Sequence, residues 1–450
     1  MVGMLAAMPT APAGSPRPDA MRPRQRDDAC PGALRLHSAD DGALARVRIP
    51  GGVLTARQAL ALGDAARRLG DGDLHLTSRG NVQLRGLDSG DGLELAELLD
   101  AAGLLPSRAH ERVRNIVASP LSGLDGQGLV DVRLWLHALD AMLCESEAAI
   151  ALSGRFLFAI DDGRGDVAAL GADIALRAAG GECAWVSIGS ETLTVATEDA
   201  PRAALLAAEA FVTASAAGEA GEASQGRAWR MGELPGGPEE LAREVVRRLP
   251  TAARSAEAPR GTGVLGPAAA PGPAAPGPAP GVITGPGGRR SLSVLAPLGK
   301  LTGEQWDALT QHGGELRLTP WRGIVLPDVA AHGVPALEAL EALEAVGLVT
   351  DPASPWVGAG ACVGRPGCAK SLADVRTDAA AALDSEGAGT NPLPVYWSGC
   401  ERRCGRPRGD HVDVVARTDG YRVTVVRDGY PRTTDAAASV AAARTTNVNG

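Results

Sequence analysis

The sequence predicts an α+β chain built from two repeated halves, and three observations carry that expectation. A Pro/Gly/Ala-rich stretch containing GPAAAPGPAAPGPAPG divides the chain. A β-α-β pattern ending in Leu-Thr and a nearby arginine occurs once on each side of it. Each copy is followed by a larger α/β region, and the last of these holds two tight cysteine pairs.

Residues 1–30 are rich in Pro, Arg, Ala and Asp, lack the apolar stretch of a secretory signal, and read as a disordered tail. Residues 31–110 hold the first small module, ALARVRIPGGVLTARQALALGDAARRLGDGDLHLTSRGNVQL. Its opening strand alternates through Val47 and Ile49. Thr55 is placed to cap a helix whose buried face is Leu60, Ala61, Leu62 and Ala65. Residues 111–250 form an α/β region with strand signals at Arg155–Asp161, Ala184–Gly189 and Thr192–Thr197, an exposed loop at Ser215–Gly226, and a closing helix in EELAREVVRRL. Residues 251–289 are the linker, because Pro removes backbone donors and Gly raises the entropy cost of ordering. The second small module spans 290–354. There Thr302 with Glu304 and Gln305 marks a helix start, and Leu316 and Leu318 belong to the next strand. Residues 355–450 form the second α/β region, with a hairpin expected over 411–429.

A net charge of −9 argues against a general nucleic-acid binder but leaves room for local arginine clusters that hold an anionic small molecule. Seven cysteines in 450 residues are too few and too clustered for a disulfide scaffold. Cys30, Cys144 and Cys183 are scattered and read as small buried apolar residues. Cys362 and Cys368 in ACVGRPGC, and Cys400 and Cys404 in SGCERRC, together offer four thiolates to a soft metal centre. Four thiolates suit a [4Fe–4S] cluster. Structural zinc is the alternative, though its usual knuckles are spaced C-x2–4-C. Reduced sulfur implies the cytoplasm, and no apolar run is long enough for a transmembrane helix. Glycines 360, 364, 367, 399 and 405 would let backbone N–H groups approach the cluster, with Arg365, Arg402 and Arg403 offsetting its negative charge.

A second constellation is Arg79, Asn81, Gln83 and Arg85 in TSRGNVQLRG, where alternation along a strand would turn four polar groups to one face. They form either an anion-binding surface or a solvated edge. Arg112, Arg114 and Asn115 make a similar patch, and Arg322 beside Trp321 suits a planar carboxylated ligand unless the Trp is simply core. His75, His110 and His411 have no metal-ligand spacing and read as structural. No dinucleotide or P-loop fingerprint occurs, so electrons are expected from a separate donor.

These residues resemble the sulfite/nitrite reductase superfamily, whose signature is C-x5-C followed by SGC-x3-C. Within it LTSRGNVQLRG, VRNIVASPLSG and LRLTPWRGIVLP look most like the precorrin-3B synthase family. The resemblance implies duplicated ferredoxin-like half-domains plus two α/β cluster-binding domains with pseudo-twofold symmetry. It also implies O2-dependent hydroxylation and lactone formation on precorrin-3A, a tetrapyrrole of the cobalamin pathway. Cys362, Cys368, Cys400 and Cys404 would hold the cluster. Arg79, Asn81, Gln83, Arg85, Arg114 and Arg322, with Arg155 a further candidate, would hold the tetrapyrrole carboxylates. The oxygen-activating centre would be a non-haem iron or siroheme, and the electron donor an NADH-linked reductase or a ferredoxin. The chain departs from the reductase pattern at Arg85, where a His is usual, and at Leu157, where a Lys is usual. Tyr396 and Arg406 each replace a His. Weakened cationic anchoring turns the expectation away from a small oxyanion. A siroheme-dependent nitrite or sulfite reductase is the alternative, and a non-catalytic iron–sulfur electron carrier or a zinc-stabilised module is the reading from another class.

Overall fold

The computed structural model describes residue 28 and residues 30–220, 227–234, 237–254, 277–385, 393–407, 409–427 and 430–432. Residues 1–27 and 29 of the expected tail 1–30, the middle of the expected linker, and residues 428–429 of the expected hairpin lie outside the described residues, whereas Asp28 and Cys30 of that tail are ordered, held against Ser153 and Gly154.

Both small modules form five-stranded antiparallel sheets, and each borrows a strand from the other. The first sheet runs His37–Ala39, Gly42–Val47, Val82–Leu87, Leu74–Leu76 and then Lys300–Leu301 from the second half. The second runs Gly281–Thr284, Arg290–Leu295, Gly323–Leu326, Glu315–Leu318 and then Val53–Thr55 from the first half. The exchange is reciprocal, with Leu301 opposite Leu74 and Leu54 opposite Leu316.

The same local device launches both exchanged strands. A short turn, Pro50–Gly52 or Pro297–Gly299, bends the chain through a left-handed residue, Gly51 at φ 63° or Leu298 at φ 51°. The strand then runs into a helix capped by threonine. Thr55 accepts from the Gln58 amide while the Gln58 side chain accepts from the Thr55 amide, and Thr302 with Gln305 repeats that capping box. The two helices, Ala56–Leu69 and Gly303–His312, cross where Gly63 makes room for Trp306, whose indole N–H donates to the Ala59 carbonyl at 2.8 Å. One apolar core therefore spans both half-domains. Within the first helix Ala59, Leu62, Ala65 and Ala66 are buried, but Leu60 is exposed, because Leu60 lies half a turn from Leu62.

Each larger module is a mixed sheet with three parallel strands followed by an antiparallel extension. In the first, Ile116–Ala118, Phe158–Asp161 and Ile174–Gly180 run parallel. Cys183–Ile188, Glu191–Ala196 and Ala253–Arg254 extend them. In the second, Ala359–Ala361, Val395–Ser398 and His411–Arg417 are parallel, and Gly420–Arg427 with Tyr430–Arg432 continue antiparallel. The expected hairpin forms over 411–427.

Three expectations need correcting. Residues 215–220 continue the helix Ala200–Ala220 instead of forming a loop. Ser215 is buried and exchanges hydrogen bonds with the Ala228 backbone, and the alanines around it favour helix; residues 221–226 lie outside the described residues. The margins assigned to the linker are ordered, since Ala253–Arg254 and Gly281–Thr284 both pair into sheets. Of the three scattered cysteines only Cys30 is buried; Cys144 is half-buried and Cys183 opens a strand with its side chain exposed. Among the described residues no helix is long and apolar enough to cross a membrane.

Gly52 tests the strand exchange. Its φ is 73°, and a Cβ there would come within 1.9 Å of the Leu318 carbonyl oxygen in the other half. Gly72 has φ 86° but open space around it. Gly72→Ala is expected to cost about 1 kcal/mol of backbone strain, and Gly52→Ala more than about 2 kcal/mol, because strain and clash add. Denaturant titration of both variants checks the difference.

Candidate functional site

The exchanged half-domains and both larger sheets meet around a cavity of about 660 Å³. Its lining includes Cys362, Cys368, Cys400 and Cys404, and eight arginines: Arg46, Arg48, Arg79, Arg85, Arg155, Arg230, Arg322 and Arg376. Among the described residues no Asp or Glu lines it. In a chain of net charge −9, this concentration of cations is local and one-sided.

The cysteines sit on loops that leave the parallel end of the second larger sheet. Cys362 follows Ala359–Ala361, and its amide donates to the Trp397 carbonyl at 2.9 Å. The Gly399 amide donates to Cys362 Sγ at 3.2 Å, a backbone N–H directed at sulfur as the glycine pattern anticipates. The Cys368 loop is tied to the first half-domain: Arg85 donates to the Gly367 carbonyl at 2.9 Å, and the Ala369 amide bonds the Asp40 carboxylate. Arg403, at φ 47°, turns the chain between Cys400 and Cys404, and its guanidinium is held by Asp413 at 2.6 Å. Burial raises the pKa of the Cys404 thiol, and Cys400, Cys362 and Cys368 add to the effect, with Arg402 opposing. Four thiolates gathered this way repel one another unless a cationic centre lies between them. Among the described residues, no three His, Cys, Asp or Glu side chains are grouped to hold a single metal ion. The four thiols line one cavity together, a donor set of the kind a multi-iron cluster takes.

Strand geometry positions the opposite wall. Thr77 closes a tight turn, its hydroxyl accepting from the Arg79 and Asn81 amides, and Gly80 takes the left-handed position at φ 65°. The turn throws Arg79 into the cavity. Burial lowers its pKa to about 10, and Arg230, Arg48 and Arg46 add repulsion. Arg48 lies deeper, 3 % exposed, with Nη1 unpartnered; Arg46 Nε, His75 Nε2 and Arg376 Nη1 are likewise buried without a hydrogen-bond partner. Burial lowers the pKa of His75, so its imidazole is neutral near pH 7. Arg376 reaches the Cys362 carbonyl from the helix Val375–Ser385. Such orphaned, mutually repelling guanidiniums are costly unless an anion is bound.

The second half carries an equivalent turn, with Thr319 in the place of Thr77. Counting along it sets Trp321 opposite Arg79 and Arg322, at φ 62°, opposite Gly80. Trp321 packs against Val117, Leu157 and Ala159 and is absent from the cavity lining. Arg322 lies over the Tyr396 ring at 5.4 Å and donates to the Gly405 carbonyl at 3.3 Å, beside the cysteine loops. Tyr396 is buried, its hydroxyl donating to the Cys404 carbonyl at 2.7 Å; Arg406 is exposed.

Of the sequence candidates, the four cysteines, Arg79, Asn81, Gln83, Arg85, Arg155 and Arg322 converge on the cavity. Asn81 serves the fold, bonding the Ile49 amide and Asn115. Arg85 is engaged bidentately by Asp41. Arg155 is exposed, stacked 4.8 Å over Trp229. Arg114 lies outside the lining and is clasped by Asp140 at 2.6 and 2.7 Å. Arg112 donates to the Asp28 carbonyl, Arg365 to the Ser371 carbonyl, and Arg402 is exposed. Sequence reasoning missed Arg46, Arg48, Arg230, Arg376, His75 and Cys30. The i, i+2 spacing of Arg46 and Arg48, with Arg46 opposite Gln83, is the alternation that had singled out residues 79–85 and could have found the first two.

These environments separate structural from ligand-facing arginines. Arg114→Ala is expected to destabilise the fold by about 3 kcal/mol by stranding Asp140, while Arg79→Ala leaves the melting temperature unchanged or raised. Thermal denaturation of both variants reads the contrast.

Known proteins share this architecture. The nitrite/sulfite reductase ferredoxin-like half domain matches residues 37–102 and again 284–343, the two strand-exchanging modules. A precorrin-3B synthase of Sinorhizobium sp is 28 % identical over 89 % of this chain and 83 % of its own length. A ferredoxin–nitrite reductase of Synechococcus elongatus is 29 % identical over 84 % and 78 %. The NirA protein of Mycobacterium tuberculosis shares the fold, with a TM-score of 0.64 at 20 % identity over 86 % of this chain and 74 % of that one. The chain thus carries two nitrite/sulfite reductase ferredoxin-like half-domains and is similar over most of its length to a precorrin-3B synthase and a ferredoxin–nitrite reductase.

Proposed function

We propose that the protein is an oxidoreductase of the precorrin-3B synthase type, hydroxylating precorrin-3A with dioxygen and forming a lactone. The observation that carries this reading is the acid-free arginine cavity beside four cysteines. A corrin precursor is a macrocycle fringed with carboxylates, and guanidinium groups recognise carboxylates with two parallel N–H donors. A precorrin-3B synthase also stands among the relatives matched over most of the chain.

In this reading Arg79 and Arg155 receive peripheral carboxylates, Arg230 stands behind them held by Asp173 at 2.6 Å and by the Gly171 carbonyl, and Gln83 supplies a neutral polar contact on the same wall. Arg322 and Arg376 stand on the cysteine side and offset negative charge there. Cys362, Cys368, Cys400 and Cys404 would hold a [4Fe–4S] cluster, which when bound would supply single electrons. One atom of dioxygen enters the macrocycle, and the other leaves as water with a pair of electrons and protons. The neutral His75 imidazole, its Nε2 3.9 Å from Asp71 and without a hydrogen-bond partner, is placed to pass a proton within the cavity. An external donor, an NADH-linked reductase or a ferredoxin, supplies the electrons, and reduced thiols suit the cytoplasm.

A siroheme-dependent nitrite or sulfite reductase is the second reading, favoured by the nitrite reductase relatives and by the same arginines, which would receive the carboxylates of siroheme. A simple electron carrier has no use for a cavity of about 660 Å³. Anaerobically purified protein is expected to show a broad iron–sulfur absorption without a strong haem band. On incubation with precorrin-3A under 18O-labelled dioxygen, one labelled oxygen is expected in the hydroxylated product. A haem band with no label incorporated would establish the reductase reading instead.

A further inference from the structure

Cys30 is the cavity cysteine that belongs to neither pair. It is 8 % exposed, and its Sγ accepts from Arg48 Nη2 at 3.1 Å and from Arg46 Nη1 at 3.6 Å. The thiol itself reaches the Gly154 carbonyl at 3.5 Å. Two features hold the sulfur there. Asp28, just before it, accepts from the Ser153 hydroxyl at 2.8 Å and the Gly154 amide at 2.7 Å, and from the Cys30 amide at 3.0 Å. Gly154 leaves the space the side chain fills, since a Cβ there would lie 3.0 Å from Sγ.

The arginines behind the sulfur are not satisfied by it. Arg48 is 3 % exposed with Nη1 unpartnered, and the buried Nε of Arg46 is unpartnered too. Among the described residues no carboxylate lines the cavity beside them, and Glu111 acts on Arg48 only from outside that lining. Two guanidiniums with spare donors on one wall form a receptor for a small tetrahedral or planar oxyanion, and charge-assisted bonds to such an ion are about twice as strong as neutral ones. A thiol is a weak acceptor by comparison. Its advantage is that it is tethered, so it loses no translational freedom by being there.

We infer that Cys30 is a specificity-determining residue: its sulfur occupies the Arg46–Arg48 corner that a small inorganic oxyanion would otherwise take, leaving the outer guanidiniums to the carboxylates of a larger ligand. The inference rests on the polycarboxylate reading above for its benefit, but not for its geometry. The same cavity, opened by one side chain, becomes an oxyanion site.

The test is calorimetric titration of sodium sulfate into anaerobically purified full-length protein, wild type and variants, with melting temperatures recorded to establish folding. Wild type is expected to bind sulfate only weakly. Cys30→Ala is expected to bind one sulfate at least tenfold more tightly, Cys30→Ser to behave as wild type because its hydroxyl keeps an acceptor in place, and Cys30→Ala with Arg48→Met to lose the gain. Tight sulfate binding by wild type overturns the inference without any variant. So does a Cys30→Ala protein that binds no better, or a gain that survives loss of Arg48. Because the readout is sulfate binding, it is independent of precorrin-3A turnover, and either reading can fail while the other stands.

Discussion

Each half-domain completes its sheet with a strand from the other, and the position of every group in the cavity follows from that exchange. Val53–Thr55 pairs with Glu315–Leu318, and Lys300–Leu301 with Leu74–Leu76. The pairing locks the Pro50–Gly52 turn against the Leu318 carbonyl, where only glycine fits. It brings the Thr77–Asn81 turn and the Pro297–Gly299 turn to one seam. Leu298 then contacts the cavity from one half while Arg79 enters from the other. The second larger sheet is tied to the same seam by Arg85, which bridges Asp41 and the Gly367 carbonyl of the cysteine loop. A break in the exchange would separate the arginine wall from the cysteine wall.

The duplication is symmetric in backbone and asymmetric in chemistry. The two Thr-closed turns share their backbone bonds and the hydroxyl bond to the fourth residue on, yet one presents Arg79 to a cavity and the other packs a half-buried Trp321 against the cluster of Val117, Leu157 and Ala159. The cysteine quartet also exists on one side alone. A duplicated scaffold has thus kept one site and filled its counterpart with an apolar side chain, gaining core area where a second polar pocket would need ligands of its own. In the surviving site the absence of acids matters as much as the arginines. Elsewhere in the chain arginines are matched to carboxylates, as in Arg164 with Asp125 and Asp162. Here Arg46, Arg48, Arg79 and Arg376 have no carboxylate partner among the described residues, a cost that only a bound anion offsets.

Local patterns were legible and long-range pairings were not. Thr55 with Gln58 and Thr302 with Gln305 announced their helices, because a cap is written within four residues. The two cysteine pairs, each written within seven residues, were legible for the same reason, and all four line one cavity. The exchanged strands, three and two residues long, are too short to carry a period of two, so no sequence signal marked them. Aligning the halves by their Leu-Thr and arginine equated Arg79 with Arg322, whereas the turns equate Arg322 with Gly80. The one-residue offset from the shared threonine is present in the sequence, and the left-handed φ of 62° at Arg322 marks it in the structure. Arg114 read as a ligand because it is an arginine near others; its bidentate clasp by Asp140, 26 residues on, lay beyond any spacing rule. Arg230 and Arg376 reach the cavity from separate elements and belong to no motif.

The central claim is that the cavity is a receptor for a carboxylate-fringed macrocycle beside a four-thiolate centre. Titrating the purified protein with uroporphyrin and with its fully methylated ester, followed by quenching of porphyrin fluorescence, tests it most directly. The account predicts that the free acid binds, that binding weakens steeply as salt is raised and on Arg79→Met, and that the ester does not bind. Equal binding of acid and ester, indifferent to salt, would contradict it.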